Sequence, residues 1–386
     1  MIRWALRVVG ILAVIAVSVA LWKREEITRL IAVNTLFDEA KIVGNFSNMN
    51  KAFLWAELDR GDGPVTPLPP GTQVAMPRTV QDWVEARDVT SLLVLKDGAV
   101  VVEQYFKATL PTDRRIGWSV AKSFLSALFG IAVSEGAIAD LDAPVTDYVP
   151  SLQGTAYGAA TIRNVLQMSS GITFDEDYLD YDSDINRMGR VLALGGTMDG
   201  FATGLTETTR PPGQEWEYTS IDTHVLGMVL RAATGRSLVD EMQEKLIAPM
   251  GLEASPYYLT DGEGVAFALG GLNLTTRDYA RMGLMFLQDG LLENRQIVPE
   301  AWVYESTAPS ARTASGEIGY GYQWWIPLGA EPGQFMARGI YGQYVYIDRP
   351  AGVVIVTTAA DRNFRDDGVS AQNIDMLRLI SNEVSK

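Results

Sequence analysis

Polar and apolar residues around the dipeptide Asp97-Gly98 follow a pattern that predicts a β-hairpin. The runs on its two sides, 91–95 and 99–105, are rich in Leu and Val, and β-branched residues in particular favour strands. An Asp-Gly pair suits the tight turn between two antiparallel strands, because glycine adopts a positive φ angle without strain. An antiparallel sheet is therefore expected to begin here.

Helical periodicity dominates the middle of the chain, and strand-like runs return near the C-terminus. The helical stretches cover 161–168, 222–234, 276–288 and 368–385, and the later strand-like runs cover 319–326, 340–347 and 353–358. Sheet at both ends with helices between predicts an α/β fold closed by distant chain segments. We expect a catalytic domain over 79–386, with an α/β part at 79–140 and 291–386 and an inserted all-α part at 141–290.

The first 24 residues form the one obvious targeting element. Arg3 and Arg7 precede an uncharged apolar run, 8–22, and nineteen residues counted from Trp4 would suffice for a tilted membrane span. We predict an uncleaved membrane anchor, with a cleaved signal peptide as the alternative, since Ser18-Val-Ala20 has the form of a cleavage site. Both interpretations place the catalytic domain in the periplasm or outside the cell.

Composition removes several classes of function. The net charge of −15 disfavours nucleic acid as a partner, and the absence of cysteine excludes disulfides and thiolate catalysis. His224 is the single histidine, so a zinc site with several histidines is excluded, and no metal or cofactor is expected. Residues 25–78 are predicted to be a juxtamembrane segment and linker, because 61–77 is rich in proline and glycine. The oligomeric state is left open.

The motif Ser119-Val-Ala-Lys122 opens a run, 119–135, that is apolar on nearly every side and stops at Gly136. Positions i and i+3 share one face of a helix, so the lysine amine can reach the serine hydroxyl. A helix that is apolar all round is buried, and burial disfavours the charged form of a lysine, which makes Lys122 a candidate base. The alternative is an N-cap serine with a lysine on a solvated turn.

Two further groups could complete such a site. Tyr218 and Ser220 are two residues apart in a predicted extended loop and would point the same way, which would let Tyr218 exchange a proton with Ser119. Gly339-Ile-Tyr-Gly-Gln343 is predicted to open a strand, where a backbone N–H could help the Ser119 N–H to bind an oxyanion. Each group also has a purely structural alternative. The Tyr218-Thr-Ser220 triplet is common in proteins, and Gly339–Gln343 could be an edge strand that contains glycines.

Together these motifs resemble the class C β-lactamase and 6-aminohexanoate-dimer (nylon-oligomer) hydrolase family over roughly 80–385. Similar stretches are 118–123, 166–171, 270–273 and 319–323. The resemblance implies a β-lactamase/DD-peptidase-like fold, with an antiparallel sheet of five or more strands, and a serine hydrolase acting on a small amide or ester.

The resemblance also implies a role for each motif residue. Ser119 would form an acyl-enzyme, Lys122 would deprotonate it, Tyr218 would act as second acid/base, and the N–H groups of Ser119 and Ile340 would hold the oxyanion. The substrate-binding residues would be Gly339, Ser220, Tyr178 and Tyr341.

The sequence departs from penicillin-binding enzymes at Ala337-Arg-Gly339, where those have Lys-Thr-Gly or His-Thr-Gly. The usual cation for a substrate carboxylate is therefore missing from its place, although Arg338 could substitute. This disfavours a good β-lactamase. Open alternatives are a β-lactamase, a D-Ala carboxypeptidase and a non-catalytic sensor.

Two other polar groups are not expected to take part in catalysis. Asp222 lies two residues from His224, and residues at i and i+2 do not face each other on a helix, so the pair cannot act as a relay. The acidic run 175–184 is expected to be a solvated loop at the mouth of the cleft rather than a cation site.

Overall fold

A computed structural model describes residues 2–386. Its strands are β1 (Leu54–Glu57), β2 (Val89–Lys96), β3 (Ala99–Tyr105), β4 (Arg115–Ile116), β5 (Tyr257–Thr260), β6 (Leu272–Leu274), β7 (Leu291–Leu292), β8 (Arg295–Gln296), β9 (Gly319–Tyr320), β10 (Trp325–Ile326), β11 (Gln334–Gly339), β12 (Gln343–Asp348) and β13 (Val353–Ala359).

Helices connect and flank these strands. They are α1 (Ile2–Trp22), α2 (Arg24–Asn34), α3 (Ile42–Phe46), α4 (Arg78–Ala86), α5 (Val120–Ser134), α6 (Val145–Tyr148), α7 (Ile162–Leu166), α8 (Asp184–Ala193), α9 (Met198–Thr203), α10 (Ser220–Thr234), α11 (Leu238–Met242), α12 (Ala248–Met250), α13 (Thr276–Leu287), α14 (Glu300–Ser306) and α15 (Val369–Val384).

The large sheet has seven strands in the order β3-β2-β13-β12-β11-β10-β9, and every neighbouring pair is antiparallel. The predicted hairpin is confirmed as β2 and β3, with Asp97 and Gly98 both at positive φ in the turn. Strands from both ends of the chain therefore lie side by side, because β13 pairs with β2. The predicted fold class, an antiparallel sheet of five or more strands flanked by helices, is confirmed.

Apolar cores lie on both faces of this sheet. One contains residues of α5 and α13 and continues into the helical part of the chain. The other lies beneath α4 and α15, where Trp83 and Leu377 are buried. α5 has thirteen buried residues along its length, as the apolar run predicted.

A smaller sheet, in the order β1-β5-β6-β4, corrects the expectation of little strand in the middle of the chain. β5 and β6 lie within the stretch predicted to be all-α, and β6 and β4 are too short to create a detectable alternation. β1 comes from the stretch predicted to be juxtamembrane segment and linker, and it pairs with β5. Phe46 and Met49, from the same stretch, are fully buried in the main core.

The strand predicted over 340–347 is also corrected. Gly339 ends β11, and Ile340–Gly342 form a short turn before β12 begins at Gln343. Tyr341 and Gly342 both have positive φ angles in this turn, so the apolar run contains a reversal of the chain. The predicted G-x-x-G segment therefore closes one strand and leads into the next.

The structure does not support the prediction of a single membrane-spanning helix at 1–24. Within residues 2–386 no one helix is both long and apolar enough to cross a membrane, although α1 and α2 together, bent by 72°, meet that test by length and composition. α1 carries exposed apolar side chains, among them Leu12, Ile15 and Leu21.

Candidate active site

The first turn of α5 brings Ser119 and Lys122 together. Ser119 is the N-cap residue, and the Lys122 Nζ lies 3.2 Å from the Ser119 Oγ and donates to the Leu269 carbonyl at 2.7 Å. Trp118, directly before the serine, has a φ of 48°, a strained angle for a bulky residue. This sharp turn presents the half-buried Ser119 at the start of a buried helix, where free N–H groups favour negative charge.

Burial changes the chemistry of Lys122. Its side chain is 1% exposed, and desolvation lowers the pKa of the amine to about 7, against the opposing effect of the Glu176 and Asp222 carboxylates. The proton is therefore lost near neutral pH instead of above pH 10. A neutral amine at 3.2 Å can accept the proton of the Ser119 hydroxyl.

Tyr218 lies beside both Lys122 and Ser119. The Lys122 Nζ is 5.5 Å from the centre of the tyrosine ring, which stacks on Trp325 at 5.0 Å. Burial raises the pKa of Tyr218 well above its ordinary value, while a hydrogen bond with Ser119 acts in the opposite direction. The phenol therefore keeps its proton at neutral pH.

Glu176 is a site residue that sequence reasoning missed, because it stands in an acidic run expected to be a solvated loop. Its Oε2 accepts the Ser220 backbone N–H at 3.0 Å, and its Oε1 accepts the hydroxyls of Ser220 and, at 2.5 Å, Tyr178. One carboxylate thus holds two of the four predicted substrate-binding residues, Tyr178 and Ser220. Glu176 is the single glutamate of the run, but the sequence gives no sign that it would reach Ser220.

The end of β11 lies against the turn that presents Ser119. A Cβ atom added to Gly339 would lie 2.3 Å from the Gly117 carbonyl oxygen, so only glycine permits this approach. Ile340 and Ser119 line the same cleft. Tyr341 instead stacks on Phe37, with ring centres 5.1 Å apart, and packs against the hydrophobic core.

Ser119 lies between two cavities. The first, of about 720 Å³, is called the polar cleft here, and its lining includes Tyr218, Trp325, Arg338 and Glu176. The second, of about 350 Å³, is called the apolar cavity, and its lining includes Leu36, Phe37, Ile185, Met188, Leu192 and Leu269. Ser119, Tyr178 and Ile340 belong to both linings and form the boundary between them.

The lone histidine lies in a separate network. The His224 Nε2 is 2.8 Å from an oxygen of Asp199, which also binds Arg231. Asp222 instead accepts hydrogen bonds from Tyr157 and Ser170 at 2.7 and 2.8 Å. His224 and Asp222 therefore belong to different hydrogen-bond networks.

The acidic run 175–184 is not arranged as a metal site in the part of the chain that the structure describes. Across residues 2–386, no group of three or more Asp, Glu or His side chains is arranged to hold a metal ion. Asp177 instead pairs with Arg365 at 2.8 Å, across the polar cleft.

The seven-stranded antiparallel sheet, with helices on both faces and a buried helix that begins at a serine, is a β-lactamase/DD-peptidase-like fold. The chain belongs to the Beta-lactamase family, whose model matches residues 78–375. It is 31% identical to the 6-aminohexanoate-dimer hydrolase of Paenarthrobacter ureafaciens over 329 residues, which cover 81% of this chain and 83% of the relative. Family membership supports hydrolase activity.

Solved structures agree on the fold. A putative 6-aminohexanoate-dimer hydrolase from Bacillus anthracis has a TM-score of 0.79 and 24% identity, with 90% of this chain and 96% of that chain covered. A putative β-lactamase from Bacteroides dorei has a TM-score of 0.64 and 23% identity, with 79% and 97% covered.

Proposed function

We propose that this protein is a serine hydrolase that cleaves small amide or ester bonds through an acyl-enzyme on Ser119. The observation that carries the proposal is the contact of 3.2 Å between the Ser119 Oγ and the buried Lys122 amine, whose pKa is lowered to about 7. Burying a charged ammonium group is costly, and loss of its proton lowers that cost. The neutral Lys122 amine is then available to deprotonate the Ser119 hydroxyl.

Acylation begins when neutral Lys122 takes the proton of the Ser119 hydroxyl and the oxygen attacks the substrate carbonyl carbon. The N–H groups of Ser119 and Ile340 bind the resulting oxyanion. Tyr218 then donates its phenol proton to the leaving amine or alcohol as the scissile bond breaks, and regains a proton from Lys122. Tyr178 and Ser220, both held by Glu176, border the substrate.

Deacylation reverses these roles, with water in place of the leaving group. Neutral Lys122, acting through Tyr218, removes a proton from the water that attacks the acyl-serine ester. Collapse of the second oxyanion returns the proton to Ser119 and releases the acid.

The charges of the polar cleft bear on the substrate. Six carboxylates line it, from Asp175, Glu176, Asp177, Glu217, Asp366 and Asp367, against the guanidinium groups of Arg338 and Arg365. An excess of negative charge attracts amine leaving groups and repels substrate carboxylates. The cleft therefore favours uncharged or cationic amides and esters over β-lactams and D-Ala peptides, both of which carry a carboxylate.

Hydrolysis of p-nitrophenyl butyrate, butyryl-p-nitroanilide and a chromogenic cephalosporin tests this proposal. The ester and anilide should be turned over faster than the cephalosporin, and Ser119→Ala should lower kcat by at least about 10³-fold. Ser126→Ala is the matched control, because this second serine of α5 is buried and its hydroxyl has no hydrogen-bond partner. Full activity in Ser119→Ala would exclude the mechanism, and ligand binding without turnover in the wild type would favour a sensor.

We also propose that the N-terminal helix pair associates with a membrane and that residues 79–386, with the buried part of 25–78, form an exported catalytic domain. The exposed apolar side chains of α1 support association with a membrane. A cleaved signal peptide remains the alternative, and N-terminal sequencing of the protein from its native host separates the two.

A further inference from the structure

The two cavities beside Ser119 differ in the residues that would meet the two halves of a substrate. Tyr218 lines the polar cleft and is absent from the lining of the apolar cavity, whereas Ser220 lines only the apolar cavity. Tyr218 is the group that donates a proton to the leaving group, so the leaving group must lie in the polar cleft. This step rests on the function proposed above.

The acyl half of the substrate must then extend away from Tyr218. The carbonyl carbon is bonded to the Ser119 Oγ during the reaction, and the Ile340 N–H fixes its oxygen. Because Ser119 and Ile340 also line the apolar cavity, an acyl group that leaves this carbon on the side opposite to Tyr218 enters that cavity.

The walls of the apolar cavity come from three distant parts of the chain. The segment after α2 contributes Leu36 and Phe37, α8 contributes Ile185, Met188 and Leu192, and the loop between β5 and β6 contributes Phe267 and Leu269. Most of these side chains are buried. The wall that these side chains form is therefore aliphatic and aromatic, while Asn34, Asn186 and Ser220 add neutral polar groups to the lining.

No carboxylate is found among the residues that line the apolar cavity. Arg190 is the single charged lining residue, and its guanidinium lies 4.0 Å from the centre of the Tyr181 ring and donates to the Tyr181 carbonyl. An ammonium group at the end of an acyl chain would lose its water without gaining a counter-ion, which is costly. The cavity thus selects against a charged acyl chain.

We infer that the apolar cavity binds an uncharged straight aliphatic acyl chain of the substrate, longer than acetyl, and that the segment after α2 forms part of its wall. Burial of each methylene group raises kcat/KM by up to about fourfold where the chain is fully removed from water. The protein is therefore an acylamide or ester hydrolase with a preference for medium-length fatty acyl groups. The chain can be presented on a soluble ester or on a bilayer lipid.

Gly189 provides a direct test, because it lines the apolar cavity from α8 and an added Cβ meets nothing within 4 Å. Gly189→Phe would fill part of the cavity without removing a core side chain. Gly44→Phe is the matched control: Gly44 is also helical, an added Cβ also meets nothing within 4 Å, and it does not line the cavity. Circular dichroism verifies that both variants are folded.

The measurement is kcat/KM for p-nitrophenyl acetate and p-nitrophenyl octanoate. The wild type and Gly44→Phe should favour octanoate by at least about 10-fold, and Gly189→Phe should reduce this ratio by about 10-fold or more. A third substrate, 8-aminooctanoate ester, should be at least about 10-fold poorer than octanoate in the wild type. Dioctanoyl phosphatidylcholine carried in vesicles of a long-chain phosphatidylcholine, compared with the monomeric ester, identifies the source of the chain.

Equal rates on acetate and octanoate, or equal losses on both in Gly189→Phe, would overturn the inference. Ser119-dependent hydrolysis of acetate together with no chain-length preference would leave the proposed function intact and remove only the acyl pocket. Failure to hydrolyse any ester through Ser119 would remove both.

Discussion

At the scale of single residues, the candidate site depends on the contact of Lys122 with Ser119 and on the contacts of Glu176. The sequence predicts the first and does not predict the second. The contact between Lys122 and Ser119 follows from helical spacing and from the apolar residues around the lysine, and both are evident in the amino-acid sequence. Glu176 has no such signature, since its partners, Tyr178 and Ser220, are brought to it by the folding of a loop onto the start of α10. Gly339 is an intermediate case. The sequence shows a glycine in the predicted strand, but the structure is needed to show that the Gly117 backbone approaches it.

The close approach at Gly339 gives a prediction. Gly339→Ala would force apart the end of β11 and the Gly117 carbonyl, which an added Cβ would meet at 2.3 Å, and would displace the Ile340 N–H from the oxyanion. We expect kcat to fall about 10²-fold, the typical effect of losing one oxyanion donor. Gly63→Ala is the control, because an added Cβ there meets nothing within 4 Å. Steady-state kinetics on a p-nitrophenyl ester measure the effect, and an unchanged kcat would separate Gly339 from catalysis.

At the scale of elements, long segments with a clear period were predicted well and short ones were not. The pattern of apolar residues correctly indicated the positions of seven elements: β2, β3, β13, α5, α10, α13 and α15. β4 and β6 have two and three residues, and their pairing depends on partners far away in the chain. The prediction of one strand over 340–347 was wrong because the chain reverses within this run, where Tyr341 has a positive φ angle.

Helix α10 carries a buried carboxyl that makes stability depend on pH. Asp222 is fully buried, one of its oxygens has no partner, and desolvation raises its pKa to about 7, with hydrogen bonds from Tyr157 and Ser170 opposing the shift. A raised pKa in the folded state means that the contribution to stability is present below the unfolded-state pKa and is lost as pH rises through about 7.

Asp222→Asn should remove this dependence, because the amide does not titrate. The melting temperature of the variant minus that of the wild type should become more positive between about pH 6 and pH 8. Asp147→Asn, at an exposed position, measures the effect of removing a surface carboxylate. Thermal unfolding by circular dichroism at both pH values checks the result, and a constant difference for Asp222→Asn would contradict a carboxyl that ionises near neutrality.

At the scale of the whole molecule, the site is assembled from parts that are far apart in sequence. Four segments meet around Ser119: the start of α5, the loop before α10, the end of β11 and the segment after α2. Family membership and motif order could be inferred from the sequence, since they depend on local letters in a fixed succession. The division into a polar cleft and an apolar cavity could not, because it depends on which distant side chains become neighbours.

The most direct test of an activated Ser119 is the pH dependence of its labelling by a fluorophosphonate, followed by intact mass and peptide mapping. We expect one adduct, on Ser119, whose rate of formation rises with pH with a midpoint near the Lys122 pKa of about 7, and a loss of most of that rate in Lys122→Ala. An adduct on another residue, no adduct on folded protein, or a rate that does not depend on Lys122 would contradict the mechanism.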